Sequence, residues 1–326
     1  MNFDVCNGDA DGLCAVVQWR LNDPQEARLI TGLKRDIELL ERVQAVRGDT
    51  LLVCDISMQR NLQPLLRLLS LGVSVRYFDH HQVDELPVHP LLASHLDFAG
   101  NTCTSLLMNQ HLGGKFQGWA LVGAYGDNLA GVADDLAVAM GLSLDERQRL
   151  KSLGEAINYN AYGDTTRDVF IRPEHLYEKL VSYADPLHFL ASEPVAQELQ
   201  VLKTKDLNHA QAVAPYFEDA HVRIFVWPDA PWSRRVSGSY SNAMAAAQPR
   251  HAHALLRRTP AGDFLVSVRA PLFFPVGAAD FCRRFGGDGR SGAAGIDHLP
   301  ADQLLDFVAA FTSCAWGSLP AEVRHG

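Results

Sequence analysis

The sequence predicts an α/β protein, with a doubly wound, mainly parallel sheet in an N-terminal domain and a smaller α/β domain behind it. Three observations carry this prediction. Short apolar runs alternate with helical patterns from Phe3 to Phe78, as expected of strands covered on both faces by helices. Those runs end in Asp or His, and ligand sites in open parallel sheets lie beyond the carboxyl ends of strands. From Val195 the composition shifts, and a new set of strand-like segments follows a single long helical stretch.

The 326 residues suffice for about two domains of ordinary size. With 47% apolar residues and no run near the roughly 18 that a membrane span needs, a globular chain is expected. The first residues, with Asp4 and Asp9, lack the charged-then-apolar pattern of a signal peptide, so a cytoplasmic location is expected. A net charge of −9 argues against a protein that coats long nucleic acid through a basic surface. The six cysteines form no C-x-x-C pair and read as small buried hydrophobes rather than zinc ligands or a disulfide framework.

Phe3–Cys6 is the first strand, and it runs into Asn7-Gly8-Asp9-Ala10-Asp11-Gly12; Leu13, Val16, Val17 and Leu21 then recur at helical spacing. Ala27–Thr31 reads as a second strand and Ile37–Val46 as an amphipathic helix. Thr50–Cys54 is a continuous apolar run ending at Asp55, Leu62–Leu71 a helix, and Val73–Phe78 a strand ending at Asp79-His80-His81. Asn101–Ser105 looks like a hydroxyl-rich cap on a helix Leu106–His111. Trp119–Tyr125 is an apolar segment leading to Gly126-Asp127-Asn128. The stretch from Leu144 to Leu190 is polar and helical, and a helix to about Val213 bridges two domains. Val222–Trp227, Ala254–Leu256 and Phe264–Arg269 are strand-like, Asn242–Ala247 is helical, and Phe285–Gly295 is a Gly-rich turn.

Carboxylates at i and i+2 in a Gly-containing turn can point into one site, whereas on a helix they would diverge. The alternative for Asp9 and Asp11 is a solvated turn with a helix cap. The pattern of ends favours a cation, because Asp9 and Asp11, Asp55, then Asp79, His80 and His81 follow separate strands, and buried unpaired carboxylates are costly. Asp127, after Gly126, is the candidate for a last ligand. Oxygen-rich ligation with one imidazole suits Mn²⁺ or Mg²⁺ better than zinc. In the second domain the glycines let backbone amides approach an anion, and Arg269 and Arg290 can grip a phosphate. Lys34-Arg35 and Arg234-Arg235 read as solvated surface pairs, and His89, His95 and His111 as structural or surface residues.

Asn-Gly-Asp-Ala-Asp-Gly, Val-Cys-Asp, Phe-Asp-His-His and Gly-Asp-Asn, in that order, resemble the motifs of the DHH phosphoesterases. That family includes RecJ-like nucleases, nano-RNases, cyclic-dinucleotide phosphodiesterases and family II pyrophosphatases. Leu265–Arg269, Arg284-Phe285-Gly286-Gly287 and Ala293-Ala294-Gly295 resemble its associated substrate-binding domain. The resemblance implies a metal-binding catalytic domain over residues 1–190 and a substrate-binding domain over 195–326, joined by a helical linker. It implies two Mn²⁺ ions, or Mg²⁺, with Asp55 bridging them, Asp9 and Asn7 on the first, and Asp11, His80 and Asp127 on the second. A water held between such ions would attack phosphorus, Asp79 would orient an imidazole, and His81 would touch the scissile phosphate. Ser267, Arg269, Gly286, Gly287, Gly289 and Arg290 would bind substrate across a cleft. Two positions depart from the family: Asn7 stands where it has Asp or His, and Arg290 where its glycine run carries His.

The implied activity is metal-dependent hydrolysis of short oligonucleotides or linear dinucleotides, such as pGpG, to mononucleotides. The alternatives are hydrolysis of cyclic dinucleotides, phosphoadenosine phosphate or polyphosphate, and a nucleotide-binding regulator with little turnover, the reading that Asn7 keeps open. The expected partner is a small nucleotide substrate, with no membrane; a homodimer is left open.

Overall fold

Apolar strands supply the framework of the first unit in this computed structural model, which describes residues 1–316. The strands are β1 (Asn2–Cys6), β2 (Arg28–Ile30), β3 (Thr50–Cys54), β4 (Ser74–Asp79) and β5 (Leu92–Leu96). They pair in the order β2-β1-β3-β4-β5, all in parallel. Cys6 lies opposite Cys54, and Cys54 opposite Phe78, so β1, β3 and β4 end level. The chain leaves β1 for β2 on one side and returns to β3 on the other. The topological switch point therefore lies between β1 and β3, where Asn7–Asp11 and Asp55 emerge.

The helices of this unit are α1 (Ala10–Asn22), α2 (Leu62–Ser70), α3 (Thr104–His111), α4 (Gln117–Gly126), α5 (Ala130–Ala139), α6 (Leu144–Asn160), α7 (Pro173–Leu180) and α8 (Pro186–Ser192). Alternate strand residues face opposite layers. Cys6, Leu52, Cys54 and Phe78 join Leu13, Trp119, Leu121 and Leu153 in one core. Phe3, Val5, Leu51, Val53, Val75 and Tyr77 join Leu65, Leu68 and Leu69 of α2 in another.

The chain divides into two units at Lys203 and Thr204, inside α9 (Pro194–Ala212). The second unit holds β6 (Phe217–Glu218), β7 (Val222–Trp227), β8 (Ala252–Arg258), β9 (Phe264–Arg269), β10 (Asp288–Arg290) and β11 (Ala293–Leu299). Their order is β10-β11-β9-β8-β7-β6, with β7 and β8 parallel and the other pairs antiparallel. The parallel pair is joined through α10 (Pro231–Ala247), longer than the expected Asn242–Ala247; α11 (Ala278–Arg283) and α12 (Leu304–Ser313) follow. Val266, Val268, Ala294 and Ile296 pack with Phe281, Phe307 and Phe311 to form its core.

Two local expectations fail. Ile37–Val46 is not an α-helix; only Leu39–Arg42 forms a 3-10 turn. The Asn61 side chain donates to the Ile37 carbonyl at 2.6 Å and accepts from the Leu40 amide at 3.2 Å, taking groups that a helix would have used. The Gly-rich stretch Phe285–Gly295 is not a single turn, since β10 and β11 pair through it as a hairpin. A Cβ at Gly287 would sit 2.2 Å from the Gly295 carbonyl oxygen, so glycine here permits close backbone approach.

All six cysteines are free, five of them buried and Cys314 partly exposed. Among the described residues no helix is long and apolar enough to cross a membrane.

Candidate metal centre

The turn after β1 places its two carboxylates differently. Asp9 is the N-cap of α1 and accepts from the Gly12 amide at 3.1 Å. Asp11, in the first turn of that helix, reaches across to the start of α3 and accepts from the Thr104 and Ser105 amides, each at 2.7 Å. The hydroxyl-rich segment therefore gives Asp11 two backbone donors at a positive helix end. Helix α4 comes close enough to enclose this pair because Gly123 carries no side chain: a Cβ there would lie 2.2 Å from Ser105 Oγ and 3.3 Å from an Asp11 oxygen.

Asp55 follows β3 with φ of +56°, a left-handed conformation that Asp tolerates better than most residues and that turns the chain sharply into the site. Its Oδ1 lies 3.4 Å from His80 Nε2, and Asp127 Oδ2 lies 3.8 Å from the same nitrogen. Asp127 caps the C-terminal end of α4. Donor atoms of Asp11, His80 and Asp127 fall within 4.8 Å of one another, and so do those of Asp55, His80 and His81. Asp79, fully buried, binds His81 Nδ1 through Oδ1 at 2.7 Å, so it orients His81 and not His80.

Lys34 belongs to the site, contrary to its expected place on a solvated surface. Its Nζ lies 2.6 Å from Asp9 Oδ2 and 3.2 Å from Asn158 Oδ1 of α6, and its amide donates to the Ala161 carbonyl. Asn7 turns inward to the same corner: its Oδ1 accepts from the Asp9 amide at 3.2 Å and its Nδ2 donates to the Lys34 carbonyl at 3.5 Å. Lys34 follows β2, which pairs in parallel with β1, so the fold carries it to the same end of the sheet as Asp9.

A cavity of about 330 Å³ is lined by Asn7, Asp9, Lys34, Asp55, His80, His81 and Asp127. Burial, followed by repulsion from Asp9 and Asp11, holds the Asp55 carboxyl well above the usual range. Burial and then the charges of Asp11 and Asp9 push Asp127 up to about 7. Burial would also raise Asp9, but Lys34 outweighs it and the carboxyl ends below its ordinary value. The acids around His80 thus repel one another by more than Lys34 and His81 offset. Carboxylate oxygens with imidazole nitrogen are the donor set of a hard divalent ion such as Mn²⁺ or Mg²⁺, and the residues fit one.

In the second unit, Arg269 lies opposite Ala293, and Ala293 opposite Arg290. Paired residues share a sheet face, so the two arginines flank a small residue two strand spacings, about 10 Å, apart. Ser267 pairs with Gly295 and Gly295 with Asp288 in the next row of the same face. Arg269 is held by Asn242 Oδ1 at 2.9 Å and the Val268 carbonyl at 3.0 Å. Gly286 and Gly289 have φ of +75° and +149°, and Gly287 lies between them ahead of the hairpin.

No family model and no curated protein sequence matches this chain. Solved structures do. A manganese-bound exonuclease RecJ superposes with TM-score 0.65 at 18% identity, covering 100% of this chain and 92% of that one. The pGpG-specific phosphodiesterase PggH from Vibrio cholerae gives 0.55 at 12% identity, with 94% and 97% covered. CDC45 from Entamoeba histolytica gives 0.54 at 9% identity, with 95% and 94% covered. At these identities the likeness is one of fold: the chain shares its α/β fold with these proteins.

Proposed function

We propose that this chain is a divalent-metal-dependent phosphodiesterase that hydrolyses short oligonucleotides or linear dinucleotides, pGpG among them, to mononucleotides. The observation that carries the reading is the convergence of Asp11, Asp55, His80 and Asp127 at the switch point of a parallel sheet, with Asp55 and Asp127 held above their ordinary values by burial and neighbouring acids. Those four residues would hold the ion. When bound, Mn²⁺ or Mg²⁺ supplies Lewis-acid polarisation of phosphoryl oxygens and acidifies water.

The chain's own residues do the rest. His81 is engaged at Nδ1 by Asp79, whose hydrogen bond raises the imidazole above its ordinary value. Nε2 is then the atom that offers a proton to a phosphate oxygen. The Lys34 ammonium, fixed by Asp9 and Asn158, puts a permanent positive charge on the cavity wall. Ser267, Arg269 and Arg290 form a face suited to a terminal phosphate. The net charge of −9 favours a small substrate over long nucleic acid.

A panel of 5′-labelled dinucleotides, longer RNA and cyclic dinucleotides, each with Mn²⁺, tests this. Turnover confined to linear dinucleotides and the shortest oligomers is expected. Preferential cleavage of long RNA or of cyclic substrates overturns the substrate assignment, and tight binding without products overturns the enzyme.

A further inference from the structure

The expected ligands of a first metal ion are already committed inside the protein. Asp9 Oδ1 accepts from the Gly12 amide, and Oδ2 from the Lys34 ammonium at 2.6 Å. Asn7, a neutral residue where a ligand was expected, spends its oxygen on the Asp9 amide and its nitrogen on the Lys34 carbonyl. Lys34 is itself placed from three directions, by Asp9, by Asn158 Oδ1 and through its amide by the Ala161 carbonyl. Both donor groups found among the described His, Cys, Asp and Glu residues contain His80, and neither contains Asp9. Lys34 is thus hydrogen-bonded at the Asp9 end of the pocket, and both donor groups lie around His80.

We propose that the Lys34 ammonium permanently takes the place of one of two divalent ions, so that the site holds a single ion beside His80 and uses the lysine as its second positive charge. An ammonium at 2.6 Å from a buried carboxylate supplies a fixed charge with no ion to lose, and its hydrogens reach oxygen acceptors directly. A second ion at Asp9 would sit beside Nζ, a positive charge already 2.6 Å from that carboxylate, an arrangement that repulsion opposes. This inference rests on the divalent-ion reading of the pocket but concerns the count, which that reading leaves free.

The test is Mn²⁺ stoichiometry by calorimetry and elemental analysis, with electron paramagnetic resonance to tell isolated from exchange-coupled ions. It compares the wild-type chain with Lys34→Gln and Lys34→Arg, each checked for cooperative thermal unfolding. The wild type and Lys34→Arg are expected to bind one ion with a mononuclear spectrum. Lys34→Gln, with Asp9 released, is expected to take up a second and to show a coupled spectrum. Two coupled ions in the wild type overturn the inference and leave the metal-dependent reading intact. A folded Lys34→Gln that still binds one ion overturns it as well, because the lysine would then not set the count. No uptake by the wild type removes the divalent-ion reading and this inference together.

Discussion

The two sheets of this protein deploy their charged residues in opposite ways. In the first unit every strand runs parallel, and the candidate ligands sit at the strand ends: Asp9, Asp55 and Asp79 are each at most 4% exposed. In the second, mixed sheet, the polar residues sit on the pleat, with Ser267 and Arg269 alternating with the buried Val266 and Val268. A parallel sheet brings all its carboxyl ends to one edge, where loops of different strands can combine. Antiparallel neighbours put their ends at opposite edges, so side chains from different strands meet most readily on a face. The first arrangement concentrates charge in a buried pocket, and the second spreads it over a surface suited to gripping a phosphate.

The sharpest way to break this contrast is Asp55→Asn. Asn tolerates the left-handed backbone at this position, so the turn should survive. Hydrolysis is expected to fall by at least about 10³-fold, the scale of losing a group that stabilises transition-state charge. Metal-free stability should nevertheless rise, by a few degrees in melting temperature, because the carboxyl removed is one that burial and its acidic neighbours disfavour. Calorimetry without metal checks the second half. A lower melting temperature means that Asp55 is a structural residue and the acids of this unit are not held at a cost to folding.

Among the described residues of the second unit, His253 is a deeply buried titratable group, and it behaves differently from the acids. His253, 1% exposed and opposite Arg269 on β8, meets the Gln248 carbonyl at 3.2 Å through Nε2, while Nδ1 has no partner. Burial pushes this imidazole down from 6.5 to about 4. Between those values the unfolded chain binds the proton and the folded chain does not, so stability is full above pH 6.5 and falls as pH drops toward 4. The difference corresponds to about 3 kcal/mol. His253→Gln should remove that component from urea unfolding measured between pH 7 and 4; an unchanged pH dependence would mean that the imidazole reaches water after all.

How much of this was legible depended on whether a residue's partner lay nearby in the sequence. Strands ending in Asp9, Asp55 and His80 announced themselves because β-favouring runs stopped at charged residues, and parallel pairing left those ends level. The segment from Ile37 to Val46 misled, since its helical spacing was overridden by Asn61, more than a dozen residues away. Strand β5 was missed because Leu-Ala-Ser-His-Leu has no β-branched residue, and it needs none at the edge of a sheet already built. Lys34 was the costliest omission. A lysine next to an arginine reads as surface, and only the fold shows that β2 lies beside β1 and brings Nζ to Asp9. The glycines before and within the hairpin were visible, but whether they bare amides for an anion or let two strands approach could not be told from composition alone.

The smallest expected effect tests whether the polar face of the second sheet binds substrate at all. Arg269→Ala removes a guanidinium held by Asn242 and by the Val268 carbonyl, both on the second unit. If Arg269 grips a terminal phosphate that is bound alike in ground and transition states, KM for a 5′-phosphorylated dinucleotide should rise about tenfold with kcat unchanged, near 1.4 kcal/mol of uniform binding. The same substitution should matter much less for a dinucleotide without that phosphate. A loss that falls wholly on kcat would place the guanidinium with the reacting phosphate, and the contrast between a pocket that does chemistry and a face that measures substrate would fail.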